Sequence, residues 1–414
     1  MQLVEQHVIG RTDPRFAVID ATAFKAKNLY NAALYIVRQS FIFEKKYLNY
    51  KKMDKRMQQH EAYQALPRKV SQQVLKKLHA NWTSFFKALK AYKENPSKFL
   101  ERPRLPKYKH KTEGRYLLVY TLQALSKTAL RQGVIQPSQL PIQVQTKQHP
   151  DSICEVRIVP RNSYYTVEII YEKEPVQANV DPTFCVGIDL GVTNLAAIAS
   201  NRAGFVPRLV NGRPLKAWNQ WYNKRMKELV NALPKKERGR VTRQMERITT
   251  KRNRRVNHYL HTASKRIIDF LVEQGIGTII IGKNPLWKQE VNMGRRNNQN
   301  FVGVPHARFI EMLTYKAALV GIQVEVQEES YTSQASFLDL DPIPMYDPKR
   351  EDKPTFSGKR IGKRGRLYRT KDGHIFGADV NGAYNTLRKR KPDAFNAEGI
   401  AAYVVQPLRL AIAV

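Results

Sequence analysis

Apolar residues recur near a 3.6-residue period over residues 20–48, at Phe24, Leu29, Ala33, Ile36, Val37 and Phe41. That period predicts an amphipathic helix. A polar stretch follows. Val70, Val74, Leu75, Leu78, Trp82, Phe85, Phe86 and Leu89 then form a second apolar stripe with lysines on the opposite face. Helices over roughly 20–98 therefore predict a small basic bundle, with the stripes as its core. Between 117 and 180 the period drops to two. CEVRIVP and YYTVEIIYE flank a turn-like RNS, so Val156, Ile158, Tyr165, Val167 and Ile169 share one face of a hairpin. The strand-like VEQHVIG near the start lets the helical bundle be an insertion into this β module. From 183 the pattern becomes α/β. FCVGIDLGVTNLAAIAS reads as a buried strand, a turn and a second strand, followed by a long basic helical stretch over 215–274. TIIIGKN, PHARFIEMLTYKAALVGI and QVEVQEES read as strand, helix and strand. GADVNGAYNTLRKR opens a last helix. Strands alternating with helices predict a mostly parallel or mixed sheet with helices on its faces.

Charge narrows the class. The chain of 414 residues carries 71 Lys+Arg against 35 Asp+Glu, a net +36, which points to a polyanion partner, nucleic acid. No run of eighteen or more apolar residues predicts a membrane span, and the first residues show no signal-peptide core. Two cysteines, Cys154 and Cys185, exclude a disulfide framework and a four-cysteine zinc site. A cytoplasmic, prokaryotic, nucleoid-associated protein is expected. The segment 101–116 holds two prolines and six Lys or Arg, interleaved with Tyr108 and Tyr116. It reads as an arm whose Arg102, Arg104, Lys107, Lys109, Lys111 and Arg115 neutralise phosphates while the tyrosines stack on bases.

Asp189 is the sharpest chemical feature, a charge inside an otherwise apolar strand, followed by the Gly191 turn. A buried carboxylate needs a partner or a metal. RNase H-like nucleases place a Mg²⁺-binding Asp on their first strand; actin- and hexokinase-type ATPases bring a similar turn to nucleotide phosphates. The latter also need a second phosphate loop and a Gly-rich adenosine site, and neither is found. Asp379 opens the last helix, where the helix dipole favours an anion, and Gly382 and Ala383 allow that helix to pack closely. A two-metal site needs a third carboxylate. Glu325, Glu328 and Glu329, on or at the end of the last strand, are the candidates.

GIDLGVTNLA (187–196), HTASKRIIDFL (261–271), ESYTSQASF (329–337) and ADVNGAYNTLR (378–388) together make the chain resemble the TnpB (OrfB) proteins of bacterial insertion sequences, RNA-guided nucleases related to type V CRISPR effectors. The resemblance implies a multidomain α+β protein. Residues 1–19 and 99–182 would form a β-barrel wedge domain, 20–98 an inserted helical recognition domain, and 183–414 a RuvC (RNase H-like) nuclease domain. It further implies a guide RNA and a double-stranded DNA target as partners, and two Mg²⁺ ions as cofactors, with Mn²⁺ able to substitute.

Two departures from the family pattern matter. The family's second nuclease motif ends a strand in Glu, whereas here Gly282 stands in that place. Part of the family, and its Fanzor relatives, carries a displaced glutamate just before the T-S of the next motif. That makes Asp189, Glu329 and Asp379 the expected catalytic and metal-binding set, with Glu328 as alternate. Asp189 would bridge both ions. The cysteine pairs of the usual zinc finger are also missing from about 335–375, so zinc is not expected. His258 and His261 lie on the basic helix without partners. The replacement segment 349–371 holds ten Lys or Arg and two acidic residues. It reads as a loop on nucleic-acid backbone through Lys359, Arg360, Lys363 and Arg364. Arg243, Arg247, Lys251, Arg252, Arg254 and Arg255 would line the channel for the guide–target duplex. A nuclease-dead guided binder acting as a repressor, and a transposase joining DNA ends, are the competing readings.

Overall fold

The computed structural model describes residues 1–284, 294–347, 352–363, 365–395 and 405–412. The chain divides into two compact units, Met1–Lys173 and Glu174–Val414.

In the first unit β1 (Gln2–Gly10) leads into four helices, α1 (Arg15–Phe43), α2 (Tyr50–Met57), α3 (Glu61–Gln64) and α4 (Arg68–Glu94). The chain then returns as β2 (Leu118–Thr121), α5 (Lys127–Arg131) and the short pair β3 (Val134–Ile135) and β4 (Val144–Gln145), before the hairpin β5 (Ile153–Pro160) and β6 (Tyr164–Glu172). The sheet order is β1-β6-β5-β2, antiparallel throughout. The five hairpin residues expected on one face, Val156, Ile158, Tyr165, Val167 and Ile169, are all buried. They share one apolar core with Leu34, Val74 and Trp82 of the helices. α1 starts at Arg15 rather than at residue 20, because Asp13 accepts a hydrogen bond from the Arg15 amide at 2.9 Å and begins the helix there.

The second unit is built on a six-stranded mixed sheet of order β11-β10-β7-β8-β9-β15. β7 (Asp181–Asp189), β8 (Asn194–Ser200) and β9 (Arg208–Asn211) form an antiparallel meander. β10 (Ile276–Gly282) and β11 (Gln323–Gln327) extend it in parallel on the β7 side. An antiparallel meander continued by parallel strands reached through helices is the RNase H-like arrangement. The expected single helical stretch over 215–274 is two helices, α6 (Arg213–Asn231) and α7 (Arg243–Glu273). Pro234 and Gly239 lie in the break, and the Thr242 hydroxyl accepts from the Met245 amide at 3.3 Å to cap α7. α8 (Arg295–Val302) and α9 (His306–Ala318) lead to β11.

The loop expected over 349–371 is corrected in part. β12 (Lys359–Ile361), β13 (Leu367–Arg369) and β14 (Ile375–Gly377) make a three-stranded antiparallel ribbon. Tyr368 and Phe376 face each other across strands and are both buried. Three-residue strands are too short to show a period among so many cationic residues. Arg364 lies outside the described residues. α10 (Ala378–Arg390) then packs on β7 and β8, and β15 (Leu408–Arg409) closes the sheet. Among the described residues no helix is long and apolar enough to cross a membrane.

Candidate active site

Asp189 ends β7, so its carboxylate emerges at the C-terminal edge of the central strand. α10 reaches that edge because glycines remove the obstacles. A Cβ on Gly187 would stand 2.0 Å from the Ala383 carbonyl oxygen, and one on Gly382 would stand 2.8 Å from Asp189 Oδ2. Asp379 lies in the first turn of α10. Its Oδ2 accepts a hydrogen bond from Asn194 Nδ2 at 2.7 Å, which ties α10 to the first residue of β8.

Gly282 ends β10, next to β7. Glu329 occupies the space above it. A Cβ on Gly282 would meet Glu329 Oε2 at 2.8 Å, Thr386 Oγ1 at 3.2 Å and Glu329 Cβ at 3.3 Å. The carboxylate of residue 329 thus sits where a side chain of residue 282 would begin. The Glu329 amide donates to Asn284 Oδ1 at 2.9 Å, and the Glu329 carbonyl accepts from the Thr332 hydroxyl at 2.8 Å.

The two adjacent glutamates differ in surroundings. Glu328 is held by Lys389, whose side chain is 2% exposed, and by the Ser330 amide at 2.7 Å. Although burial opposes it, hydrogen bonds from Lys389 and Ser330 keep Glu328 below the usual carboxylate range. Burial, with repulsion from Glu328 added and Lys389 opposing, pushes Glu329 up to about 7. Burial also raises Asp189 well above its ordinary value, and repulsion from Asp379 and Glu329 adds to it. Arg360, on β12, opposes the rise. Glu325, the third candidate on β11, is paired with Arg390.

These carboxylates offer hard oxygen donors only, the set that suits Mg²⁺ or Mn²⁺. Their mutual repulsion is what a divalent cation relieves. Among the described residues no three His, Cys, Asp or Glu side chains converge closely enough to hold a single ion. Asp189 Oδ2 lies beside Gly382 of α10, and Glu329 Oε2 beside Gly282 of β10.

The basic residues fall into two groups. The arm 101–116 has no regular structure, yet it is anchored to α1. Asn31 exchanges two 2.9 Å hydrogen bonds with the Lys109 backbone, Lys27 Nζ donates to the Lys111 carbonyl at 2.6 Å, and the Tyr116 amide donates to the Ala23 carbonyl at 3.0 Å. Arg115 is committed inward, to both oxygens of Asp20 at 2.9 and 2.7 Å, and Tyr116 stacks on Tyr30 at 4.5 Å. Neither is placed as the sequence suggested, because closing the arm onto α1 uses them. Arg104 pairs with Glu101; Arg102, Lys107, Lys109 and Lys111 line the same segment. On α7, Arg243, Arg247, Lys251, Arg254 and Arg255 are exposed. Arg252 instead turns inward, donating to Asn219 Oδ1 at 2.7 Å and to the Gly303 carbonyl at 2.9 Å.

Sequence reasoning missed Asn194, Asn284 and Thr386. Asn194 stands inside the GIDLGVTN motif, and its position directly after the Val192–Thr193 pair of the turn was the available signal. Asn284 and Thr386 carry no local signal.

The sheet of the second unit has the RNase H-like strand arrangement, with Asp189 at the end of β7, Asp379 in the first turn of α10 and Glu329 over Gly282 of β10. In agreement, residues 168–287 match the family model OrfB_IS605, described as a probable transposase, and residues 306–386 match the Cas12f1-like TNB domain. Among solved structures the chain is similar to a Cas12f1–sgRNA–target DNA complex (15% identity, 89% of this chain and 81% of that chain, TM-score 0.49). It is also similar to a CRISPR-Cas12f ternary complex (14%, 89% and 80%, 0.37) and to the mini-RNA-guided endonuclease Cas_phi3 (11%, 59% and 52%, 0.34). No curated protein matches the chain.

Proposed function

We propose that this protein is an RNA-guided DNA endonuclease of a transposable element, cutting through a RuvC-type site formed by Asp189, Glu329 and Asp379. The observation that carries the reading is the seat over Gly282: a position that lacks a side chain is covered by a carboxylate from residue 329. A decayed site has no reason to keep that substitution beside Asp189 and Asp379.

The three carboxylates would hold Mg²⁺. Bound divalent ions supply a more acidic attacking water and charge compensation at the leaving 3′ oxygen. The chain's own residues do the rest. Asn194 fixes the Asp379 carboxylate through its side-chain amide. Asn284 fixes the Glu329 backbone. Arg360, close enough to oppose the rise in Asp189's pKa, would steady the phosphate presented to the carboxylates. Guide-RNA phosphates would be held by Arg102, Lys107, Lys109 and Lys111 on the anchored arm, and the guide–target duplex by the exposed cations of α7. Backbone contacts of this kind recognise shape and charge rather than sequence.

The test uses the protein purified with RNA expressed from its own locus, Mg²⁺, and plasmids carrying the guide-matched target beside randomised flanking bases. Cutting next to one enriched flanking motif, lost in Asp189→Ala while guided binding persists, is the expected result. Retention of the same plasmids without Asp189-dependent cutting would make the protein a guided binder instead.

A further inference from the structure

Tyr331 is the one residue of the Glu329–Thr332 turn with a positive φ, +66°. A non-glycine residue in that region persists only when its surroundings over-determine it. The surroundings are one face of α10. Asn381, Asn385 and Lys389 recur every four residues, so they stack along one side of the helix. Each grips the segment after β11. Lys389 Nζ donates to the Ser330 carbonyl at 2.8 Å and to the Glu328 carboxylate. Asn385 Nδ2 donates to the carbonyls of Thr332 at 2.9 Å and Ala335 at 2.7 Å. Asn381 Nδ2 donates to the Ala335 carbonyl at 2.7 Å, and its Oδ1 accepts from the Phe337 amide at 2.9 Å. Arg388 extends the grip to the Asp341 carbonyl.

This ladder sits between two of the proposed metal ligands. Asp379 stands at the start of the same helix, and Glu329 lies between the two residues that Lys389 holds, Glu328 and Ser330. We infer that Lys389 is a positioning residue: with Asn381 and Asn385 it locks the strained turn so that the Glu329 carboxylate stays over Gly282 and in register with Asp379. The inference rests on the reading of Glu329 as a metal ligand. It explains why a glutamate on a turn, rather than on a strand, can serve as a fixed ligand here: rigidity that a strand supplies through its ladder comes instead from a helix face.

Mn²⁺ binding to the intact protein, counted by electron paramagnetic resonance of the free ion, reads this without any cleavage. Lys389→Met is expected to weaken Asp189-dependent Mn²⁺ binding by about tenfold to a hundredfold, the usual effect of losing a group that orients a ligand. Lys389→Arg, which keeps a cation, restores most of it. Lys389→Met leaves the half-buried Glu328 without its cationic partner, so the double variant Glu328→Gln/Lys389→Met separates folding from positioning. Its melting temperature should recover while its Mn²⁺ affinity stays low. Wild-type affinity in Lys389→Met, or full recovery of affinity in the double variant, overturns the inference and leaves the metal site standing. Absence of any Asp189-dependent Mn²⁺ binding in the wild-type protein overturns the site reading, and the positioning role with it.

Discussion

The side-chain geometry at Gly282 turns an apparent loss into a requirement. Glycine there has no ligand to offer, yet any side chain would displace the one carboxylate that covers it. Gly282→Ala should therefore slow cleavage sharply, while guide-RNA binding is unaffected. The complementary experiment moves the carboxylate back. Glu329→Gln should abolish cutting, and Gly282→Glu in the Glu329→Gln background should recover part of it; a plasmid-cutting time course of the three proteins checks this. The raised pKa of Glu329, about 7, also has a thermodynamic consequence. The folded, metal-free protein keeps this proton between pH 4.5 and 7, where the unfolded chain has lost it. The associated stability is fully present below pH 4.5 and is lost as pH rises through 7. Glu329→Gln removes the charge, so in excess chelator it should melt higher than wild type at pH 8 and at nearly the same temperature at pH 4, below the unfolded carboxyl's value. Equal melting at both values would show that Glu329 is not a strained acid.

Helix α7 and the β12–β14 ribbon show how one residue type takes different roles according to its element. Arg243, Arg247, Lys251 and Arg254 follow a helical spacing along exposed surface, whereas Arg252 is turned inward onto Asn219 and Gly303. Replacing Arg247 or Lys251 by alanine should weaken binding of a guide–target duplex and lower the slope of log affinity against log salt by about one each. Arg252→Ala should lower the melting temperature and leave that slope unchanged. Filter binding at four or five salt concentrations, beside thermal melts, distinguishes the two. The ribbon has its own means of closure. Tyr368 and Phe376 are buried against each other, and Asp339 Oδ2 accepts from the Ser357 hydroxyl at 2.9 Å and the Lys371 amide at 3.0 Å. Asp341 Oδ2 accepts from the Ser336 and Ser357 amides at 2.7 and 3.1 Å. These carboxylates tie the ribbon to the segment after β11. A zinc-selective chelator should leave the melting curve unmoved, while Asp341→Ala should expose the ribbon to protease. A lowered melting temperature on chelation would mean a metal holds it.

For the whole molecule, a charge of +36 favours polyanions as partners, and the chain divides into two compact units. Much of this was legible beforehand. The two helical stripes, the hairpin face and the α/β alternation are periodic, and periodicity survives in sequence because each element must bury one face. Asp189 and Asp379 were legible for a related reason: a charge amid apolar neighbours, and an acid at a helix start, are local anomalies. Motif resemblance nominated Glu329 with Glu328 as alternate, but the different surroundings of two identical neighbours leave no trace in sequence.

Those surroundings needed the fold. The sequence alone determined the long periodic helices and strands, the excess of positive charge and the candidate acids, since each depends on composition or on neighbours a few residues apart, but not the short strands of the ribbon or the break between α6 and α7. Only the tertiary structure decided that Lys389, sixty-one residues away from Glu328, takes that glutamate into an ion pair. Only it decided that Gly282 opens room for Glu329, and that Arg115 and Arg252 serve the fold rather than the surface. Those outcomes depend on which side chains converge across distant elements, and burial and electrostatic repulsion act on distances in space rather than along the chain.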